Sequence, residues 1–159
     1  MKLIVGVADM KVSNNPEESI ITYSLGSCIG LVIYDPVVKV GGMLHYMLPE
    51  SSIDKGKAAA RPYMFADSGI PRLFKTAYQL GAAKQRMTIY VAGGAEILDQ
   101  KGFFNIGKRN YMALKKMFFK NKVMINREHV GGNTNRTVRI EIATGDIYVK
   151  TSGSKEVKI

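Results

Sequence analysis

The sequence predicts an α+β fold, a layered α/β sandwich with mixed, largely antiparallel sheets and two main helices. Some eight stretches are short and either alternate between apolar and polar residues or are continuously apolar, as strands do, whereas two longer stretches have helical spacing. The strands and helices do not alternate strictly along the chain. This order favours strands gathered into sheets, with the helices packed against them.

The strand predictions begin near the N-terminus and end at residue 150. Gly93-Gly94 and Gly131-Gly132 lack the neighbouring residues of a phosphate-binding loop, so both pairs are interpreted as turns. The predicted strands cover residues 3–12, 19–24, 29–35, 41–49, 86–97, 123–130, 137–143 and 146–150.

Two stretches carry apolar residues three or four positions apart, which is the spacing of one helix face. The first spans about 63–80 and is followed by Gly81, a residue that suits a helix end; the second spans about 107–120. The residues predicted to face inward are Met64, Ile70, Leu73, Phe74, Ala77 and Leu80 on the first helix, and Tyr111, Leu114, Met117 and Phe118 on the second.

The length and composition are those of one globular domain that covers residues 1–159. Hydrophobic residues make up 46% of the chain, yet no apolar stretch approaches the roughly 20 residues needed to cross a bilayer, so we expect a soluble protein. The N-terminus lacks the basic start and long apolar segment of a secretory signal. A single cysteine excludes an intramolecular disulfide and fits a reducing compartment, so we expect a cytoplasmic protein.

The net charge of +10 indicates a partner of opposite charge. The 23 lysine and arginine residues are scattered, and the densest groups, Lys108-Arg109 and Lys115-Lys116, match no nucleic-acid-binding motif. We therefore expect no specific binding of nucleic acid. Two interpretations of the charge remain, an acidic protein partner and a basic but inert solvated surface.

The cysteine, Cys28, lies in the small-residue stretch LGSCIG. A nucleophilic thiol needs room for a substrate carbonyl and backbone N–H groups that hold an oxyanion. Gly26, Ser27 and Gly30 leave such room, which makes these three residues candidates for the oxyanion and substrate-binding site. Free cysteine is also among the most buried residue types, so a structural role as a small hydrophobe is the alternative.

A nucleophilic cysteine needs a base, and His45 lies on the strand that directly follows the cysteine strand. If residues 36–39 form a four-residue hairpin loop, His45 faces Gly30. In that register Cys28 faces Met47 and is a diagonal neighbour of His45 on the same face of the sheet, about 7–8 Å away at the backbone. A slip of one residue would place the pair on opposite faces.

A third group should orient the imidazole ring of His45. No Asp or Glu lies near Cys28 and His45 in the sequence. The hydroxyl groups that could serve are those of Thr22, the nearest on the preceding strand, Ser24 and Ser27.

The second histidine, His129, precedes a predicted turn and is interpreted as a surface or strand-end residue. One cysteine and two histidines without close spacing do not make a zinc site. No metal or other cofactor is therefore expected.

Five segments together resemble the chemoreceptor glutamine deamidases, the CheD family. They are TYSLGSCIGLVIYDP, GGMLHYMLPES, VAGGAEI, NIGKRN and HVGGNTNRTVRIEIATGDIYVK, and they run from the N-terminal strands almost to the end of the chain. The combination of LGSC, GGMxHxMLP and IGxRN is specific. The resemblance implies a layered α/β sandwich similar to the catalytic domain of cytotoxic necrotizing factor toxins.

The family uses a Cys–His–Thr triad, which the resemblance places on Cys28, His45 and Thr22. It implies a protein-glutamine glutaminase that acts in bacterial chemotaxis adaptation. The enzyme converts specific glutamine side chains of methyl-accepting chemotaxis receptors to glutamate with release of ammonia, and we expect a thioester on the cysteine as intermediate. No cofactor is implied.

The implied partners are the cytoplasmic helices of chemoreceptors and, in many bacteria, the CheC phosphatase; the protein itself is expected to be a monomer. The alternative function is a non-catalytic or dual-role binding module that regulates a CheC-type phosphatase. The sequence departs from the family at His129, where an acidic residue is expected, and at Asn135, where a glycine is expected. Both positions are far from the triad in sequence and bear on partner contacts.

Overall fold

The structure is a computed structural model that describes residues 1–96 and 105–159. This part of the chain contains ten strands and three α-helices, with short 3-10 turns between some of them. The strands are β1 (Lys2–Ile4), β2 (Asp9–Ser13), β3 (Ser19–Leu25), β4 (Ile29–Asp35), β5 (Val40–Tyr46), β6 (Thr88–Gly93), β7 (Arg127–Val130), β8 (Arg136–Glu141), β9 (Ile147–Thr151) and β10 (Val157–Lys158). The helices are α1 (Lys55–Ala60), α2 (Ala66–Gln79) and α3 (Ile106–Lys120).

The described strands form two five-stranded mixed sheets. Sheet A has the order β1-β3-β8-β9-β10, and its one parallel pair among these strands is β1 with β3. Sheet B has the order β2-β5-β4-β6-β7, and its one parallel pair among these strands is β6 with β7. The predicted fold class, α+β with mixed and largely antiparallel sheets, is confirmed.

Sheet B is the middle layer of the sandwich, because sheet A packs on one face and helices α2 and α3 pack on the other. Buried aliphatic side chains fill both interfaces, among them Leu44 and Leu73 between sheet B and the helices and Val32 and Ile140 between the sheets. Strands β4 and β5 are buried along their whole length. Their sequences are accordingly rich in apolar residues on both faces.

Helix α2 carries the predicted inward stripe with one exception. Ile70, Leu73, Phe74 and Ala77 are buried on α2, and Met64 is buried in the 3-10 turn before it, whereas Leu80 is 39% exposed. The prediction for Leu80 is wrong because α2 ends at Gln79 and Leu80 forms the C-cap. On α3 the predicted residues are buried or half-buried.

The predicted strand over 3–12 is two strands that belong to different sheets, since the chain turns between β1 and β2. Helix α1 and strand β10 were not among the predicted elements; α1 buries none of its residues, so no apolar pattern marks it. The predicted strand end at residue 97 lies outside the described residues. Among the described helices, none is long and apolar enough to cross a membrane. The likeness to the cytotoxic necrotizing factor catalytic domain stays a prediction.

Candidate active site

Strands β4 and β5 pair in the register that a four-residue loop predicts, with Gly30 opposite His45. Cys28 lies in the bend that leads into β4, directly before the paired residues. Its predicted partner, Met47, also lies just beyond the pairing. Cys28 packs against the cluster between the two sheets, and strand alternation directs His45 to the same face. The predicted cysteine and histidine therefore lie at one end of the interface between the sheets.

A hydrogen bond between the two sheets connects Thr22 with His45. Thr22 Oγ1 lies 2.7 Å from His45 Nδ1, and both side chains are buried. Thr22 comes from β3 in sheet A, and His45 comes from β5 in sheet B. Ser24, another of the hydroxyl residues considered, is exposed in the β-bulge that follows Thr22. The structure thus brings Thr22 to the imidazole ring.

The hydrogen bonds of Thr22 determine which nitrogen of His45 carries the ring hydrogen. Thr22 Oγ1 donates its one hydrogen to the carbonyl oxygen of Val5 at 2.8 Å, because a carbonyl can only accept. Thr22 Oγ1 can then only accept from His45, which places the ring hydrogen on Nδ1. Nε2 is therefore unprotonated, and within the described part of the chain it is buried without a hydrogen-bond partner. This is the arrangement of a general base.

Both candidate reacting groups are neutral near neutral pH. Burial lowers the pKa of His45 to about 4, although the charge of Asp9 acts in the opposite direction. Burial also raises the pKa of the Cys28 thiol to about 11, against the opposing effect of the Cys28 backbone N–H. Burial thus favours a neutral thiol and a neutral imidazole over a thiolate–imidazolium pair.

A glycine turn anchors the backbone on both sides of Cys28. The Cys28 carbonyl accepts from the Gly94 N–H, and the Gly26 carbonyl accepts from the Ala95 N–H, each at 2.9 Å. Gly93 has a φ of 107°, and a Cβ at this position would lie 2.2 Å from the Cys28 carbonyl oxygen. Only glycine fits there, both for its backbone conformation and for its contact with the cysteine loop.

A buried asparagine on α3 joins the cysteine loop to the end of the histidine strand. Asn110 Nδ2 donates to the carbonyl of Ser27 at 2.9 Å and to the carbonyl of Met47 at 2.8 Å. Ser27 directly precedes Cys28, and Met47 follows His45 by one intervening residue. One amide group therefore holds the two halves of the candidate site in register.

Sequence reasoning missed this role of Asn110, although the motif IGxRN contains it. The same motif contains Gly107, where a Cβ would lie 2.4 Å from the Ala95 carbonyl oxygen. Gly107 lets α3 approach the glycine turn, and Asn110 then reaches the cysteine loop. The IGxRN motif was the only sequence signal for this role of Asn110, and it does not indicate which backbone groups the asparagine binds.

Replacement of Asn110 by alanine is expected to lower both stability and activity. The change leaves two buried carbonyl oxygens without their donor, so we expect the free energy of unfolding to fall by about 2 kcal/mol. Urea unfolding measures this loss. The matched control is Asn121→Ala, since Asn121 is exposed at the C-cap of the same helix and donates to the Met117 carbonyl. Equal losses in the two variants would contradict the role given to Asn110.

The three residues predicted for the oxyanion and substrate-binding site lie beside Cys28 in the chain. Gly26 and Ser27 are half-buried in the bend before β4. Gly30 lies within β4, between β5 and β6, and a Cβ there would come 2.8 Å from Leu25 Cδ1. Packing against Leu25 accounts for this glycine, and the oxyanion and substrate roles stay predictions.

The second histidine, His129, lies on β7 and is exposed, as its interpretation as a surface strand residue expects. Its Nδ1 accepts from Arg136 Nε at 2.6 Å. Arg136 is buried and also donates to the carbonyls of Gly93 and Gly131. The departure from the family pattern at His129 is thus connected, through Arg136 and Gly93, to the turn that anchors Cys28.

Fold and site together describe an α+β protein in which a cysteine and a threonine-bound histidine lie between two mixed sheets. Comparison with known proteins gives the family. A family model described as CheD chemotactic sensory transduction matches residues 47–151. The chain belongs to the CheD family.

Relatives extend the similarity over nearly the full chain, including the part that contains the candidate site. A protein of Syntrophus aciditrophicus named probable chemoreceptor glutamine deamidase CheD 1 is 59% identical over 95% of this chain and 94% of its own length. Proteins of Solibacter usitatus and Anaeromyxobacter dehalogenans with names of the same kind are 48% and 41% identical, over 98% and 92% of this chain and 92% of each relative. Among solved structures, a Neisseria meningitidis protein described as family-model DUF152 is similar with a TM-score of 0.43 at 10% identity, over 84% of this chain and 63% of that chain.

Proposed function

We propose that this protein is a protein-glutamine glutaminase that converts specific glutamine side chains of chemoreceptors to glutamate with release of ammonia. Its relatives carry the name chemoreceptor glutamine deamidase. The observation that carries the proposal is the Thr22–His45 hydrogen bond, which leaves Nε2 unprotonated on the face that Cys28 also occupies. In this proposal Cys28 is the nucleophile, His45 is the general base and acid, and Thr22 orients His45.

The first half of the reaction forms a thioester. His45 Nε2 takes the proton of Cys28 Sγ as the sulfur attacks the amide carbon, and a tetrahedral oxyanion results. Nε2 has no hydrogen-bond partner within the described residues, so thiol and ring must approach each other as the attack begins. In this proposal backbone N–H groups near Cys28 hold the oxyanion, beside Gly26, Ser27 and Gly30, and the Cys28 N–H is one candidate because it interacts with the neighbouring thiol. The imidazolium then gives its proton to the amide nitrogen, the C–N bond breaks, and ammonia leaves.

The second half of the reaction consumes one water molecule. Nε2 takes a proton from the water as its oxygen attacks the thioester carbon. The C–S bond breaks, the sulfur of Cys28 recovers the proton from the imidazolium, and glutamate remains on the substrate. Thr22 accepts the Nδ1–H throughout, which keeps the ring from turning and keeps Nε2 directed at the reacting atoms.

Alkylation of Cys28 distinguishes a neutral thiol from a thiolate–imidazolium pair. Because burial raises the pKa of Cys28 to about 11, we expect the rate of reaction with iodoacetamide to rise about tenfold per pH unit between pH 7 and 10. Cys28 is the only thiol, so the mass of the whole protein reports this one site. The variant His45→Gln should show the same slope, because Nε2 is not hydrogen-bonded to the thiol in the resting state and acts as a base only in the reaction with the glutamine substrate. A rate that is already constant above about pH 6 would contradict the neutral pair.

The charge of the protein supports a receptor substrate. A net charge of +10 favours encounter with glutamate-rich receptor helices, and the association rate should then fall as salt concentration rises. We propose that the protein acts in the cytoplasm as a monomer on the cytoplasmic helices of receptors, with a CheC-type phosphatase as a second partner.

A further inference from the structure

An acidic residue lies directly across the sheet from the candidate base. Asp9 on β2 pairs with His45 on β5 in the antiparallel ladder of sheet B. Residues that pair directly in such a ladder have their side chains on the same face. The residue before Asp9, Ala8, also donates its N–H to the His45 carbonyl at 2.9 Å. The turn that precedes β2 is therefore attached to the histidine strand.

The Asp9 carboxylate also binds the peptide unit that orients Thr22. Asp9 Oδ2 accepts from the Gly6 N–H at 3.3 Å. This N–H and the Val5 carbonyl belong to one planar trans peptide, in which the two groups point in opposite directions. The Val5 carbonyl accepts from Thr22 at 2.8 Å. A hydrogen bond that fixes the Gly6 N–H therefore also fixes the acceptor of the Thr22 hydroxyl.

We propose that Asp9 is a positioning residue of the active site, which holds the Val5–Gly6 peptide so that Thr22 donates to Val5 and accepts from His45 Nδ1. The series of contacts runs from the Asp9 carboxylate through the Val5–Gly6 peptide and the Thr22 hydroxyl to the His45 ring. The effect on catalysis rests on the proposed function, whereas the effect on the His45 tautomer depends on the fold alone.

The electrostatics of this series of contacts also favour the His45 tautomer with its hydrogen on Nδ1. A carboxylate at the N–H end of a peptide polarises it and strengthens its carbonyl as an acceptor, and hydrogen bonds in series reinforce one another. The charge of Asp9 also acts to raise the pKa of His45, which assists formation of the imidazolium during attack.

The other contacts of Asp9 moderate its free charge. Lys11 pairs with the same Oδ2 at 2.8 Å, and both side chains are partly exposed. Asp9 Oδ1 accepts from the Met10 N–H at 2.7 Å. The Arg61 guanidinium donates to the Val7 carbonyl at 3.4 Å in the same turn. Because the lysine neutralises much of the carboxylate, the hydrogen bond to the peptide is the main route by which Asp9 acts.

Nitrogen-15 NMR of histidine tests the proposal without reference to activity. The chain contains two histidines, so His129→Gln leaves only the ring signals of His45. In this background we expect the Nδ1–H tautomer near pH 7. Addition of Asp9→Ala should shift the signals toward the Nε2–H tautomer, and Thr22→Val should produce the same change.

Two further variants separate the hydrogen bond from other effects of the substitution. Asp9→Asn keeps an oxygen that can accept from the Gly6 N–H, and we expect it to retain the Nδ1–H tautomer even if Asp9→Ala folds poorly. Asp146→Ala is the control for loss of a carboxylate, since Asp146 pairs with Lys158 and lies beside Tyr34, at the other end of β4 from Cys28. An unchanged tautomer in Asp9→Ala, or an equal shift in Asp9→Asn and Asp9→Ala, would overturn the proposal.

Kinetics on a receptor fragment measure the consequence for the reaction. We expect Asp9→Ala to lower kcat about 10- to 100-fold with KM changed less than about threefold, because only the base is disturbed. Lys11→Met should stay within about twofold of wild type. A shifted tautomer with an inactive wild-type protein would reject the proposed function and leave the role of Asp9 in place. An active protein in which Asp9→Ala changes neither tautomer nor kcat would reject the role of Asp9 alone.

Discussion

Replacement of Cys28 by alanine is expected to abolish ammonia release from a receptor fragment, with a loss on the order of 10⁴-fold or more. The chain contains no second cysteine that could act as nucleophile. The fold should persist, because the cysteine loop is held by backbone groups and by Asn110 and not by the sulfur. An assay coupled to ammonia measures the rate, and circular dichroism measures the fold.

The same variant separates an enzyme from a binding module. If the protein served only to regulate a CheC-type phosphatase, Cys28→Ala would retain the whole phenotype in chemotaxis. If the proposal is correct, Cys28→Ala still binds receptor helices and any such phosphatase but leaves the receptor glutamines unchanged. Full ammonia release by a folded Cys28→Ala protein would reject Cys28 as nucleophile.

Replacement of His45 by glutamine is expected to lower kcat at neutral pH on the order of 10³-fold or more. With a thiol pKa of about 11, roughly one molecule in 10⁴ carries a thiolate at pH 7, so the thiol is almost unreactive without its base. Activity of His45→Gln should recover partly as the pH rises, whereas the wild type needs no such rise. A variant with wild-type kcat at pH 7 would contradict the role of His45.

The same substitution should change how stability depends on pH. Burial lowers the pKa of His45 to about 4 from 6.5, so the unfolded chain binds the proton first as the pH falls. Neutral His45 makes its full contribution to the free energy of unfolding above about pH 6.5. This contribution is lost as the pH falls through 4, and the total loss is roughly 3 kcal/mol. The glutamine of His45→Gln does not titrate, so this variant lacks the loss. His129 is present in both proteins, so its effect on stability cancels in the comparison. Urea unfolding of both proteins at pH 7 and pH 4 measures the difference; an equal acid dependence would contradict the buried neutral state of His45.

The pairing of the cysteine and histidine strands could be predicted from sequence because it is local. A four-residue loop determines the register, and the two-residue period of a strand then places Gly30 opposite His45. The choice of Thr22 over Ser24 came from the family resemblance, because it depends on how sheet A packs on sheet B. No local sequence pattern predicts which residue of sheet A packs against His45.

Asp9 and Asn110 could not be predicted because they reach the site through contacts between distant parts of the chain. Asp9 arrives by the pairing of β2 with β5, and Asn110 by the packing of α3 against the glycine turn. Residues 3–12 are interpreted from the sequence as one short strand, although Gly6 within them is a residue that can mark a turn. The turn inside it uses Ala8 with a φ of 59°, a conformation usually signalled by glycine or asparagine. Strand periodicity therefore located the extended residues of β1 and β2 and missed the sheet change between them.

Peptide mass spectrometry of a receptor cytoplasmic fragment tests the central claim most directly. The fragment is incubated with wild type, Cys28→Ala and Thr22→Val under equal conditions. The account predicts conversion of specific glutamines to glutamate by the wild type, none by Cys28→Ala, and much slower conversion at the same glutamines by Thr22→Val. Unmodified glutamines with the wild type, or equal conversion by wild type and Cys28→Ala, would contradict it.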